Sequence, residues 1–245
     1  MKAIDETVQA YLRAGAEKMG LPLTQKQILQ FALYSDLLVQ WNEKMNLTAI
    51  TEEREIVEKH FLDSLAGGVA LRRDGLEGAM LIDIGTGAGF PGIPLKILFP
   101  GIKLTLLDSL QKRIHFLHET CRRLDLTDVT CIHGRAEELG HSEDLRESFD
   151  AAVSRAVAPL PVLLEYCAGF VRQGGIFLAY KGPGIAEELA ASGPALSKLR
   201  FYAGETMDVA IPDAEYHHFI TIFEKIGSLP LKYPRKQSKI KKESL

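Results

Sequence analysis

The chain has no apolar run approaching the ~20 residues needed to span a bilayer, and its start, MKAIDETVQA, puts acids where a signal peptide carries an apolar core. A membrane span and a secretory leader are both disfavoured, so the cytoplasm is the expected location. Cysteine is scarce: Cys121, Cys131 and Cys167 show no Cys-x-x-Cys spacing and no paired histidines beside them. That argues against a disulfide framework and a zinc site, so the three read as buried small hydrophobes and no metal is expected. The net charge of −3 by itself argues for no polyanion partner. Repeats and low-complexity linkers are missing too, and 245 residues suffice for one substantial domain plus a small extension.

Charge is present but lopsided. From Lys232 onward six bases (Lys232, Arg235, Lys236, Lys239, Lys241, Lys242) face one acid, Glu243, so this tail carries +5 and the rest of the chain −8. A basic tail can contact phosphates, each contact adding a salt-sensitive term to affinity. The alternative is a solvated terminus.

The pattern changes character near residue 79, which divides the chain into a helical extension packed on the core (1–78), a main domain (79–231) and the basic tail (232–245). In the extension, Thr24 can cap a helix whose Ile28, Phe31, Ala32 and Leu38 share one face. A second helix is expected over roughly Glu52 to Leu65, with Ile56, Val57, His60, Phe61, Ser64 and Leu65 as its inward stripe. Trp41 to Thr48 reads as a polar connection between them. Beyond residue 79, apolar and β-branched runs fit strands at Met80–Ile84, Lys103–Asp108, Val129–Ile132, Ala151–Ser154 and Gly175–Tyr180, with helical stretches between the clearer ones. Leu110, Ile114, Leu117, Cys121 and Leu124 form the cleanest helical stripe. Such alternation predicts parallel strands joined by right-handed crossovers, an α/β doubly wound, Rossmann-like sheet. Phe201–Val209 and His217–Ile226 are separated by only Ala210 to Glu215, too few residues for a crossover helix, so they are expected to pair antiparallel at the sheet edge.

In such a sheet, ligands lie beyond the carboxyl ends of the strands. The turn after the first strand reads Asp83-Ile84-Gly85-Thr86-Gly87-Ala88-Gly89-Phe90-Pro91-Gly92. Glycines let a ligand approach the backbone, and Pro91 suits the first turn of a following helix. Gly87-x-Gly89-x-x-Gly92 also satisfies the dinucleotide fingerprint, which keeps a nicotinamide-dependent oxidoreductase in view. Asp83 weighs against that reading. A carboxylate ending an apolar strand needs partners, and a cationic ligand, or a network built to hold one, supplies them, whereas a pyrophosphate is repelled. Asp108, 23 residues beyond Gly85, suits ribose hydroxyls of either cofactor class, with a helix cap as its structural alternative.

The longer run Asp83 to Ile97, with Phe90, Pro91 and Pro94, resembles the cofactor loop of the bacterial 16S ribosomal RNA guanine-N7 methyltransferases, the glucose-inhibited division protein B family. Asn46 to Ile50, His60 to Leu65, Gly134 to Glu138, Val153 to Ala158 and Tyr233 to Lys236 resemble further segments of that family, so the likeness covers most of the chain. It implies a class I methyltransferase domain using S-adenosylmethionine, with 16S ribosomal RNA or the small ribosomal subunit as partner and guanine N7 of nucleotide 527 in the 530 loop as target. Gly85 and Phe90 would line the cofactor pocket, Ala136 and Glu137 would meet the adenine side, and Arg155 would reach the cofactor near the transferred methyl, with Arg135 close by. Asp83 and Gly87 join this set from the loop and Asp108 from the second strand, while Arg235 and Lys236 would contact RNA. Lys181, followed by Gly182-Pro183-Gly184, suits either a phosphate contact or a loop. After Lys236 the family has a glycine- and proline-containing stretch where this chain has Gln237 to Lys242, so the course of the tail is open.

Chemistry adds an independent constraint. Guanine N7 attacks through an in-plane lone pair and needs no general base, so Arg155 is expected to position rather than to exchange protons. The Asn/Asp-Pro-Pro-aromatic signature of amino-directed methyltransferases and the cysteine of pyrimidine C5 enzymes are both missing where the chain reads Ser154-Arg155-Ala156-Val157-Ala158-Pro159. His60, Asp63 and Ser64 share a helical face but not triad geometry, and are expected to hold the N-terminal helices over the cofactor mouth. His217 and His218 alternate faces and lack neighbouring ligands. A methyltransferase for a small molecule or a protein remains the alternative, and a monomer is the expectation for oligomeric state.

Overall fold

The computed structural model describes residues 5–209, 211 and 218–245. Helix α1 (Glu6–Lys18) is capped by Asp5, whose side chain accepts from the Thr7 amide. Helix α2 (Gln25–Met45) opens on a reciprocal capping box between Thr24 and Gln27. It carries Trp41 to Met45 as helix rather than connection, because the Trp41 ring packs edge-on against Phe116 at 5.6 Å and the turn out waits for Asn46, in the left-handed region at φ 49°. The next helical rod extends past the expected Leu65: α3 (Glu53–Ile56), a π-helical segment over Val57–Leu62, then α4 (Asp63–Arg73). Ile56, Val57, Phe61, Ser64 and Leu65 of its expected stripe are buried.

Strand β1 (Met80–Ile84) leads into α5 (Gly92–Leu98), β2 (Lys103–Asp108) into α6 (Gln111–Arg123), and β3 (Val129–His133) into the short α7 (Ala136–Leu139). Then follow β4 (Phe149–Arg155), α8 (Leu160–Ala168), β5 (Val171–Lys181), α9 (Ile185–Ala191), α10 (Gly193–Leu199), β6 (Phe201–Val209), β7 (His218–Lys225) and α11 (Gln237–Lys242). Strand order is β3-β2-β1-β4-β5-β7-β6, parallel from β3 to β5, with β7 antiparallel to both of its neighbours. The final pair therefore forms as expected, with β7 inserted and β6 outermost. Of the residues joining them only Ile211 is described; the rest, and His217, lie outside the described residues.

Strand alternation sorts side chains into two cores. Leu81, Leu104, Leu106, Val153 and Leu178 pack with the N-terminal helices, α5 and α6, while Ile82, Ile84, Leu107, Ala152 and Phe177 pack with α8 and α10. Local bonding trimmed two sequence expectations. Leu110 is 42% exposed because its amide is taken by Asp108 Oδ1, which holds it extended ahead of α6. Pro91 precedes α5 rather than entering it, since the Gly92 amide is held by Asp83. Cys121 and Cys167 are buried, but Cys131 is half-buried. Among the described residues no helix is long and apolar enough to cross a membrane, and no His, Cys, Asp and Glu cluster offers a metal site.

Candidate active site

The parallel strands end on a common rim, and their last residues with the following turns build two adjoining hollows. The first, of about 90 Å³, lies beyond β1, β2 and β3 and gathers Gly85, Asp108, Arg135, Ala136 and Glu137, together with Val157 and Tyr166. Asp108 is its fixed point. Oδ2 accepts from the Gly87 amide (2.9 Å) and the Arg113 guanidinium (3.1 Å), and Oδ1 from the Leu110 amide (2.9 Å). The carboxylate thus ties the β1 turn to the segment entering α6 and still keeps acceptor capacity on Oδ1 for a ligand hydroxyl. Gly85 has φ +71°, and a Cβ there would stand 2.5 Å from a Val157 methyl, so glycine is required where the β1 turn meets the loop after β4. Glu137, almost fully buried, is ion-paired with Arg135 at the start of α7.

Asp83 lies beneath this hollow rather than in it. Its Oδ2 accepts from Thr86 Oγ1 (2.7 Å) and the Gly92 amide (2.8 Å), so the network that justifies a buried carboxylate is the loop itself. Burial pushes its pKa up to about 7 despite both hydrogen bonds. Among the described residues Oδ1 has no hydrogen-bond partner. Phe90 is also not a lining residue here. Its ring stacks on Tyr34 (5.3 Å) and His60 (4.6 Å) inside the core shared with the N-terminal helices.

The second hollow, of about 170 Å³, lies beyond β4 and β5 and is lined by Arg155, Ala156, Tyr180, Lys181, Gly182, Glu188 and His218. Arg155 and Lys181, candidates from distant parts of the sequence, meet here. The Arg155 guanidinium donates to Asp63 Oδ2 (2.5 Å), the Lys59 carbonyl (3.1 Å) and His60 Nδ1 (3.3 Å), and lies 5.1 Å from the Phe90 ring centroid. Asp63 is fully buried, with His218 Nδ1 donating to its Oδ1 at 2.7 Å. Burial alone raises the Asp63 pKa, but the His218 hydrogen bond and the Arg155 charge outweigh it and hold the carboxyl below its usual range. His60 is pushed down to about 4 by burial and then by the Arg155 charge. It is therefore neutral near pH 7; Arg155 can only donate to Nδ1, so Nε2 carries the proton and donates to Thr48 Oγ1 at 2.9 Å. His60, Asp63 and Thr48 thus bind the N-terminal helices to the end of β4, and the π-helical turn sets His60 and Asp63 at their positions in this network. Lys181 reaches Glu188 (2.6 Å) and the Ala158 carbonyl (3.1 Å), and Glu188 also accepts from the Leu160 amide, so this pair braces the start of α8.

The tail splits the remaining candidates. Arg235 is turned inward onto the fully buried Glu165, with Nε 2.8 Å from Oε1 and Nη2 2.7 Å from Oε2, which withdraws it from RNA contact. Lys236 stays exposed at the head of α11, whose Ile240 is buried, so this tail is docked rather than frayed. Sequence reasoning missed His218 as a partner of Asp63, Glu188 as a partner of Lys181, and Tyr166 and Val157 as walls. Only Arg113, five residues after Asp108 on the following helix, left a spacing from which its role was readable.

A model of the GidB family, described as rRNA small subunit methyltransferase G, matches residues 27–210. A protein of Alkaliphilus oremlandii named ribosomal RNA small subunit methyltransferase G is 50% identical over 236 residues, 96% of this chain and 97% of its own length. One of the same name from Caldanaerobacter subterraneus subsp. tengcongensis is 46% identical over 244 residues, 100% of this chain and 99% of its own. Among solved structures, a didemethyltoxoflavin methyltransferase of Burkholderia thailandensis superposes with a TM-score of 0.52 at 15% identity, covering 80% of this chain and 88% of that one. TrmN from Thermus thermophilus gives 0.51 at 15% identity, covering 69% and 53%. These two share the fold.

Proposed function

The chain belongs to the GidB family of small-subunit ribosomal RNA methyltransferases, and on that premise we propose that it transfers a methyl group from S-adenosylmethionine to guanine N7 of 16S ribosomal RNA. The observation that carries this reading is the commitment of the carboxylates around Arg155, and of His60, to partners within the protein. Asp63 is held between Arg155 and His218, Glu188 by Lys181 and the Leu160 amide, and His60, neutral, by Arg155 and Thr48. Guanine N7 attacks through a lone pair it already has, so carboxylates that hold cations in place rather than accept protons suffice for it.

The first hollow suits the cofactor. Asp108 offers an acceptor for ribose hydroxyls, Gly85 leaves space between the β1 turn and Val157, and Ala136 and Glu137 form the wall beyond β3. S-adenosylmethionine, held there by Gly85, Asp108, Ala136 and Glu137, would supply an electrophilic methyl group to a nucleophile that need lose no proton. The chain's own residues align and enclose. Gly85 and Gly87 fix the turn, Val157 and Tyr166 exclude water, and Arg155, immobilised by three partners, positions what lies between the two hollows. Phe90 acts from below by supporting His60 and Arg155.

The test is methyl transfer from labelled S-adenosylmethionine to small subunits and to free 16S RNA from cells lacking this protein, followed by nucleoside analysis and mapping. The expected product is 7-methylguanosine confined to that RNA, at nucleotide 527. Transfer absent from both RNAs despite cofactor binding moves the substrate to a small molecule or a protein.

A further inference from the structure

A third hollow, of about 240 Å³, lies between the end of α10 and the segment after β7, lined by Ser197, Lys198, Arg200, Pro230, Lys232 and Tyr233. Among the described residues, three cations and no acid line it. Each of the two hollows of the active site carries a carboxylate in its wall, so the surplus here stands apart in a chain whose net charge is −3.

This hollow is remote from the reacting end of the sheet. Phe201, next to Arg200, pairs with Lys225, and the neighbouring Glu224 pairs with Ile176 at the amino end of the β5 ladder. Arg155 pairs with Tyr180 at its carboxyl end. Ile176 to Tyr180 alone spans about 13 Å of strand. The two sites therefore lie at opposite ends of the parallel strands.

Two of these cations are also held by their surroundings. Arg200 closes α10 in the left-handed region at φ +62°, a conformation that asparagine or glycine adopts more readily than a long cationic residue. Its stem runs along Gly227, where a Cβ would find Cβ, Cγ and Cδ of Arg200 at 3.8–3.9 Å. Lys232 Nζ stands 5.3 Å from the Tyr233 ring centroid. Lys198, Arg200 and Lys232 are all exposed. Like charges brought together on a surface weaken the folded state, and a residue kept in an unfavourable backbone conformation points to a use for its side chain.

We propose that this hollow is a second RNA-binding site, which grips phosphates of the ribosomal RNA at a distance from the nucleotide being methylated. It rests on the reading of the protein as a 16S RNA methyltransferase. Its ligand is the sugar-phosphate backbone, so it contributes affinity and salt dependence without sequence preference.

The test uses the full chain carrying Lys198→Gln, Arg200→Asn and Lys232→Gln together, asparagine being chosen to keep the left-handed backbone. Binding to protein-free 16S RNA and to small subunits from cells lacking the protein is measured across a salt series. Steady-state methylation is measured alongside, and the thermal shift with S-adenosylhomocysteine serves as the fold control. The expected result is affinity for free RNA lower by on the order of tenfold or more at 0.1 M salt, with the slope of log affinity against log salt shallower by about 2–3. KM for RNA rises while kcat and the cofactor shift hold. Unchanged affinity and slope in the triple variant, with wild-type protein binding and methylating RNA normally, overturn the second site alone. Weaker binding to subunits with no change on free RNA also overturns it, in favour of a ribosomal protein as the partner. If wild-type protein neither binds nor methylates the RNA, it is the underlying functional reading that fails.

Discussion

The two halves of the rim are built from different materials. Beyond β1 and β2, carboxylates are held largely by backbone amides: Asp83 by Gly92, and Asp108 by Gly87 and Leu110. Beyond β4 and β5, long side chains hold one another: Arg155 with Asp63, His218 with Asp63, Lys181 with Glu188. Backbone amides cannot leave without unmaking the turn, so the cofactor half is preorganised by the fold. Side-chain ion pairs exchange partners at small cost when partly exposed, as Lys181 and Glu188 are, and become indispensable when buried, as Asp63 is.

Asp63→Ala tests the contrast most severely. It leaves the largely buried Arg155 guanidinium without its carboxylate, and a loss of about 3–5 kcal/mol in urea unfolding is expected, with Asp63→Asn losing less. A loss under about 1 kcal/mol would show that Arg155 reaches water and that the buried pair is not a structural tie. In the cofactor half, Asp108→Ala should weaken S-adenosylhomocysteine binding by about 1–3 kcal/mol in calorimetry, since buried hydroxyls lose their acceptor. Unchanged affinity removes Asp108 from the site.

Protonation separates the halves further. His60, lowered to about 4, leaves the unfolded chain binding the extra proton between about pH 4 and 6.5, so its contribution to stability is complete above 6.5 and is lost as pH falls. Asp83, raised to about 7, works the other way: its contribution is complete below the ordinary carboxyl value and is lost as pH rises towards 7. The two oppose each other over one window. Relative to wild type, His60→Gln should therefore become less stable as pH rises from 4 to 6.5, and Asp83→Asn more stable, by up to about 1.4 kcal/mol per pH unit. Parallel pH profiles for all three proteins defeat the assignment. The smallest effect is expected at the surface. Lys236→Ala should reduce the salt slope of RNA binding by about one contact while leaving urea stability within about 0.5 kcal/mol.

Legibility in the sequence followed the range of the interaction. Strands β1, β2 and β6 matched their expected limits because apolar runs bounded by turn residues or charges report burial locally. The strand ends and turns at β1, β2 and β3 were readable for the same reason, and they carry Gly85, Asp108 and the Ala136-Glu137 pair. The π-helical turn was not readable, since the stripe Ile56, Val57, Phe61 also fits an α-helix and one wider turn leaves the pattern intact. Nor were the partners in the second half: Asp63 lies 92 residues from Arg155 and 155 from His218. The basic tail misled for a related reason. Composition counts Arg235 among six equal cations, and only the buried Glu165, 70 residues earlier, sets it apart.

Strand order also dictates when the sheet can be completed. β6 leaves the ribosome before β7, yet among the described residues its only neighbour in the sheet is β7, which must first dock along Ile176–Lys181 of β5. Until His218–Lys225 emerges, β5 shows an unpaired apolar edge and β6 has nowhere to attach. A nascent chain stalled in that interval, or a product truncated ahead of His218, exposes a strand edge open to pairing with another copy, so the hazard of aggregation falls in the final moments of synthesis.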